Sequence, residues 1–352
     1  MSVPALVRRL PPFRDRPPRP ADPLTDTLRR QAVEGTRLAE DVRAIDDVLV
    51  PGFQAADRLA IVAQNRWARR ELGLLVLSGL LVVASSVQAA LGSGQEWPGA
   101  LVAALGGLSS VLAGTTKSTD ARGAYLRARR EAERLRSLAW THLALFEPHD
   151  AGARQRILRR GVARIRLQTA EGSGDTEADQ TSDDTAASDQ RARGSDPASE
   201  HLLDLYLAAR LDTQRGWYRR RQDEFDAAER EGGRLRTAFL ILATVLGAVS
   251  ALELTDSYRA GLGVAATAAT ATSAIITGWM RLQAFDTRAR LYELTAARLD
   301  VAEADRPPRV DATRAVEYVG QCEDVLLAEH GAWTSQTPRG AREPSPGPKA
   351  AP

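Results

Sequence analysis

LGLLVLSGLLVVASSVQAAL, residues 72–91, runs without a single charged side chain. The hydrocarbon core of a bilayer is about 30 Å thick, so a helix rising about 1.5 Å per residue crosses it in roughly 20 apolar residues. This stretch has that length. Next along the chain comes PGALVAALGGLSSVLAGTT, residues 98–116, again uncharged. The short turn between them carries Trp97, a residue type enriched at membrane interfaces, and Pro98 stands where the first turn of a helix accepts proline. Two spans joined so closely read as an antiparallel helical hairpin. A second pair repeats the layout: residues 235–252, apolar apart from Arg236, and residues 260–280, rich in Ala, Gly and Thr. The loop between these holds Glu253, Asp256, Tyr258 and Arg259. The expected fold class is therefore an all-α membrane protein, with four transmembrane helices as two tandem helical hairpins and long cytoplasmic helices. A soluble bundle is disfavoured, because uncharged runs of this length rarely form soluble cores.

Orientation follows from arginine. Arg66, Arg69 and Arg70 precede the first span, and Lys117, Arg122, Arg127, Arg129 and Arg130 follow the second. Arg234 and Arg236 flank the start of the third, and Arg281, Arg288 and Arg290 follow the fourth. Basic residues gather on the cytoplasmic side of membrane proteins. Both termini and the central linker are thus expected in the cytoplasm, with only the two tips outside.

The averages conceal this pattern. The 352 residues carry a net charge of +2 and are 43% hydrophobic, values ordinary for a soluble protein that call for neither nucleic acid nor an acidic substrate. Lys117 and Lys349 are the only lysines among many arginines, a skew of GC-rich coding that points to a bacterial source and to the inner membrane. The lone cysteine, Cys322, excludes an internal disulfide framework and a thiolate zinc site. The N-terminus has no apolar run of signal-peptide length, so the internal spans are expected to direct insertion.

Charged helical sequence follows each hairpin. Ala121, Tyr125, Ala128, Ala132, Leu135 and Ala139 recur at steps of four and three, and so do Leu282, Phe285, Ala289, Tyr292, Ala296 and Leu299. Such heptad seams suit packing against other helices, in the manner of a coiled coil. Each seam meets a breaker, Glu147-Pro148-His149-Asp150 or Arg306-Pro307-Pro308-Arg309, before a shorter amphipathic segment at 151–169 or 310–333. A long charged helix, 200–232, is expected to close at Gly232-Gly233 ahead of the third span; a looser counterpart covers 24–70. The expected divisions are a disordered N-terminus, 1–23; a first hairpin with its helices, 24–170; a disordered acidic linker, 171–199; a second hairpin domain, 200–335; and a disordered tail, 336–352. The linker is rich in Asp, Ser, Thr and Gly and has too little apolar surface to offset its ordering entropy.

Three stretches of the second half belong together: Tyr206-Leu-Ala-Ala-Arg210-Leu211-Asp-Thr-Gln214-Arg-Gly-Trp217-Tyr218; the hairpin followed by Trp279 and a charged helix; and the terminal helix with Glu323, Leu326, Glu329, His330 and Trp333. In these the second half resembles the SLATT family of two-transmembrane effector domains. The first half shares the layout but lacks the Glu-His-Trp ending, and reads as a diverged copy. The resemblance implies an oligomeric effector that forms pores or disrupts the membrane in bacterial antiphage conflict, triggered by a cytosolic nucleotide-sensing or nucleotide-synthesising partner. The rival from another class is a non-enzymatic membrane scaffold that recruits a cytosolic partner.

No phosphate-binding loop, nucleophile elbow, HExxH or CxxC is present, and the four histidines show no ligand spacing, so no catalytic, cofactor or metal residues are assigned. Glu329-His330 reads as helix packing or a polar helix surface rather than catalysis. Two other features merit attention. Arg154, Arg156, Arg159, Arg160, Arg164 and Arg166, interleaved with Ile157, Leu158, Val162, Ile165 and Leu167, suit either an anionic lipid surface or a solvated helix packed on its own seam. Gly261, Ala265, Ala269, Ser273 and Thr277, with Thr270 beside them, form a small-residue stripe along the fourth span, suited to helix packing or to a narrow aqueous path in an oligomer. No midplane charge supports an ion pump.

Overall fold

A computed structural model describes residues 5–11, 21–31, 36–91, 95–118, 121–144, 151–171, 197–252 and 255–335. Among these there is no strand, and the elements are helices α1 (Ala5–Arg8), α2 (Asp26–Gln31), α3 (Arg37–Val48), α4 (Val50–Leu91), α5 (Trp97–Ser118), α6 (Ala121–Ala144), α7 (Ala151–Ala170), α8 (Pro197–Tyr206), α9 (Asp212–Ser250), α10 (Asp256–Gln283), α11 (Phe285–Ala304) and α12 (Ala312–Ser335). The five residues Leu207–Leu211 between α8 and α9 are wound as a π-helical turn. Four helices are long and apolar enough to cross a membrane, and at most 17% of any one apolar window is buried within the chain. Exposed apolar surface on that scale requires a partner other than water, and the chain is an all-α, multi-pass membrane protein. The acidic linker from 172 to 196, the first breaker and the tail from 336 lie outside the described residues.

The chain divides into two compact units, and each draws on both halves of the sequence. The span unit comprises residues 1–21, 55–128 and 214–296; the helical unit comprises residues 22–54, 129–213 and 297–352.

Within the span unit, small residues set the helix spacing. A Cβ at Gly278 would lie 2.5 Å from Leu75 Cδ2, and one at Gly79 would lie 2.5 Å from Ile275 Cδ1. Farther along the same pair, Ser86 Oγ hydrogen-bonds Thr267 Oγ1 at 3.2 Å. Helices α4 and α10 therefore meet, between Leu75 and Ser86 on one and Thr267 and Gly278 on the other, through positions that lack bulk, the usual way helices associate where there is no hydrophobic drive. Leu112 of α5 packs over Gly73 of α4. Gly106 and Gly107, in contrast, have nothing among the described residues within 4 Å of where a Cβ would stand.

The expected helix end at Gly232-Gly233 is overturned. Helix α9 continues through both glycines into the third span. The reason is tertiary: a Cβ at Gly232 would stand 2.6 Å from Met280 Sδ, so glycine here admits a neighbour instead of ending a helix. Nearer the N-terminus of α9, Trp217, Tyr218, Phe225, Phe285 and Tyr292 form a cluster of tilted and edge-on rings. Ala5–Arg8, inside the stretch expected to be disordered, forms a helical turn at this cluster. There the Leu6 N–H donates to Glu231 Oε2 at 3.0 Å, and Arg9 pairs with Glu224 and lies 4.3 Å above the Phe225 ring.

Of the seam residues, Ala128, Ala132, Leu135, Ala139, Phe285, Ala289, Tyr292, Ala296 and Leu299 are buried, while Ala121, Tyr125 and Leu282, nearest the spans, are half-buried. Ala284 ends α10 in the left-handed region, at φ 47° and ψ 49°, where a side chain crowds the backbone. Ala284→Gly should therefore stabilise the protein by about 1 kcal/mol, read as a rise in the thermal midpoint of the detergent-solubilised chain.

Candidate functional site

The helical unit encloses a cluster of charges that its sequence pattern does not announce. Helix α12 places Cys322 and Glu323 on its inward face, beside Tyr318 and Val319. Glu323 is 1% exposed and faces Arg210, which is 4% exposed, in the π-helical turn. The guanidinium forks onto the carboxylate, Nε to Oε1 at 2.8 Å and Nη2 to Oε2 at 3.0 Å. The Tyr206 hydroxyl donates a third hydrogen bond to Oε1 at 3.1 Å. Trp140 of α6 closes the cluster edge-on to Tyr206, with ring centroids 5.7 Å apart. Burial drives the Tyr206 phenol well above its ordinary range, with the Glu323 carboxylate adding to it. Burial also pushes the Cys322 thiol up to about 11, which keeps it protonated and unreactive.

A second buried pair lies in the same unit. Arg154 of α7 donates to Asp41 of α3 through Nε at 2.8 Å and to Glu40 through Nη2 at 3.1 Å. His142 is 1% exposed, its Nε2 is 3.9 Å from Asp41 Oδ1, and neither ring nitrogen has a hydrogen-bond partner among the described residues. Burial holds its pKa below the ordinary 6.5; Asp41 opposes that shift, and Arg154 and Arg37 reinforce it. In the same unit, Arg136 Nη1 donates to both carboxylate oxygens of Glu133, and the guanidinium lies 4.9 Å above the Phe53 ring. Paired, fully bonded charges hold a conformation, and among the described residues no group of His, Cys, Asp and Glu is spaced to bind a metal ion.

The basic set on α7 divides. Arg154 is buried against Asp41, whereas Arg156, Arg159, Arg160, Arg164 and Arg166 are exposed, as are Ile157 and Leu167. Leu158 and Val162 turn inward, and Leu138 of α6 packs at Gly161. The small-residue stripe on α10 divides as well. Ala269 and Ser273 are buried, and Ser273 Oγ donates to the Arg236 carbonyl of α9 at 3.4 Å. Gly261, Ala265 and Thr270 are exposed. Thr270 and Thr277 donate to their own helix, at the carbonyls of Ala266 and Ser273. On the terminal helix, Leu326 and Glu329 are buried with Glu323, and the backbone of α12 includes His330 and Trp333.

Residues 206–333 match a family model, the SMODS and SLOG-associating 2TM effector domain 1. The SLATT match opens at Tyr206, the residue before the π-helical turn, and spans both partners of the Arg210–Glu323 fork. Residues 53–155 match a different model, a protein of unknown function (DUF4231), and neither description names an enzyme. The two halves thus share a layout while matching separate families. No curated protein and no solved structure matches the chain.

Two consequences can be measured. Removing one partner of a buried pair strands the other, so Glu323→Gln should cost about 3–5 kcal/mol, while Arg210→Met with Glu323→Leu should cost far less. Thermal unfolding of the purified chain decides between additive and compensating behaviour. His142 gives a pH signature. Just below pH 6.5 the unfolded imidazole takes up a proton that the folded one excludes, so stability falls as pH drops through and beneath that value. His142→Gln should flatten that limb of the stability profile.

Proposed function

We propose that the chain is an oligomeric inner-membrane effector of a bacterial conflict system, with both termini and the central linker in the cytoplasm. Its cytosolic helices hold it inactive until a nucleotide-sensing or nucleotide-synthesising partner acts on them. The observation that carries this reading is the split stripe on α10, within the SLATT match. One end packs against α9, whereas Gly261 and Ala265, one turn apart, present a small, exposed face to whatever lies beside the span. Four spans are too few to enclose an aqueous path alone, so a pore requires several copies, and small faces let helices approach closely. The exposed arginines of α7 add a surface for an anionic partner, lipid headgroups among them. A membrane scaffold is the second reading, and the hydrogen bonds of Thr270 and Thr277 to their own helix favour it, since those hydroxyls need no water-filled path.

The test is dye release from liposomes holding the full chain, beside Thr270→Leu, a variant at an exposed position that leaves the buried Ser273 contact intact. Release that falls severalfold in the variant supports a pore walled by the fourth span. Intact vesicles around an inserted oligomer, with sensor partner and candidate nucleotides present, would favour the scaffold.

A further inference from the structure

Residues 199–250 form one uninterrupted helix that continues into the third span. Within it, the N–H of Asp212 reaches back five residues to the Leu207 carbonyl, so Leu207–Leu211 hold one residue more than an α-helical turn would. The turn ends just before residue 214, where the span unit takes up the chain. π-helical turns are rare and occur mostly as single turns inside α-helices, frequently at functional sites. The contacts around this one are identifiable. Arg210, inside the turn, forks onto Glu323 of α12, and Tyr206, immediately before it, bonds the same carboxylate. If the five residues wound as ordinary α-helix, everything after them would rotate by about 100° relative to everything before. Arg210 would then leave the carboxylate.

We propose that Leu207–Leu211 is a register switch locked by Arg210, Glu323 and Tyr206. A partner that draws α12 away from Arg210 releases the extra residue, and α9 turns about its axis, third span included. The switch supplies a trigger for the effector reading, yet it is a statement about helix register and can be tested without any flux.

The experiment places spin labels at His201→Cys and Arg220→Cys, exposed positions on either side of the turn, in the full chain reconstituted in nanodiscs; Cys322 is buried and does not compete for label. The wild type should give one distance. Glu323→Gln, and to a smaller extent Tyr206→Phe, should add a second population displaced by several ångströms. Deleting Ala208 removes the extra residue while keeping the flanking helices in phase, so it should restore a single distance even beside Glu323→Gln. A wild-type distance in both point variants would mean a static turn and overturn the proposal. A second population that survives the deletion would assign the motion elsewhere and overturn it too. If Glu323→Gln does not fold, Tyr206→Phe alone decides. A distance change without dye release would leave the switch standing and remove the pore.

Discussion

A peptide group in hydrocarbon finds no hydrogen-bond partner except another peptide group of its own segment. That constraint makes the uncharged runs helical and sends the charges beyond their ends. It also explains why α4 and α9 are so long, since each carries a span and a charged stretch as one continuous helix. The divisions between the two units at 54/55, 128/129, 213/214 and 296/297 all fall inside helices.

The helical unit pays for its form with buried charge. Taking a guanidinium and a carboxylate out of water is costly, and the fork between Arg210 and Glu323 compensates only through close geometry and the third bond from Tyr206. A well-packed apolar trio would serve stability as well. What the charges add is dependence on one arrangement: a shift of α12 by a fraction of a turn leaves both ions unpaired. The pair of Arg154 with Asp41 has the same character but joins α3 to α7, and α7 carries no irregular turn.

Much of the fold could be read from local pattern. Uncharged length picked out four helices long and apolar enough to cross a membrane, and steps of four and three picked out seam residues most of which are buried. Pattern failed where a residue's role depends on a distant neighbour. Gly232-Gly233 has the composition of a helix end, and only Met280, far along the chain, makes it a packing notch. Arg154 belongs to a basic run by sequence, and only Asp41 turns it inward. Arg210 and Glu323 both lay within the stretches that carried the family resemblance, but the pairing between them spans more than a hundred residues. A charged residue on the apolar side of each of two helices was the one available signal. The π-helical turn had none, because one added residue disturbs a helical period no more than ordinary irregularity does. The division of both halves between two units was also hidden, since sequence order suggests domains that follow one another.

The notch at Gly232 and the turn at Leu207–Leu211 constrain one another. In a helix that carries one extra residue, each downstream position stands where its predecessor would stand in an unbroken α-helix. If the extra residue were absorbed, Glu231 would take the place of Gly232 opposite Met280. The present spacing does not admit even a Cβ at that point without displacing the Met280 side chain, and a glutamate needs far more room. Glu231 would also be drawn from the Leu6 N–H that it now accepts. Rotation of α9 is therefore incompatible with its present contact with α10, and the two helices would have to separate where the third and fourth spans meet the charged sequence. That separation would expose Ser273, whose hydroxyl now donates across the same contact to the Arg236 carbonyl.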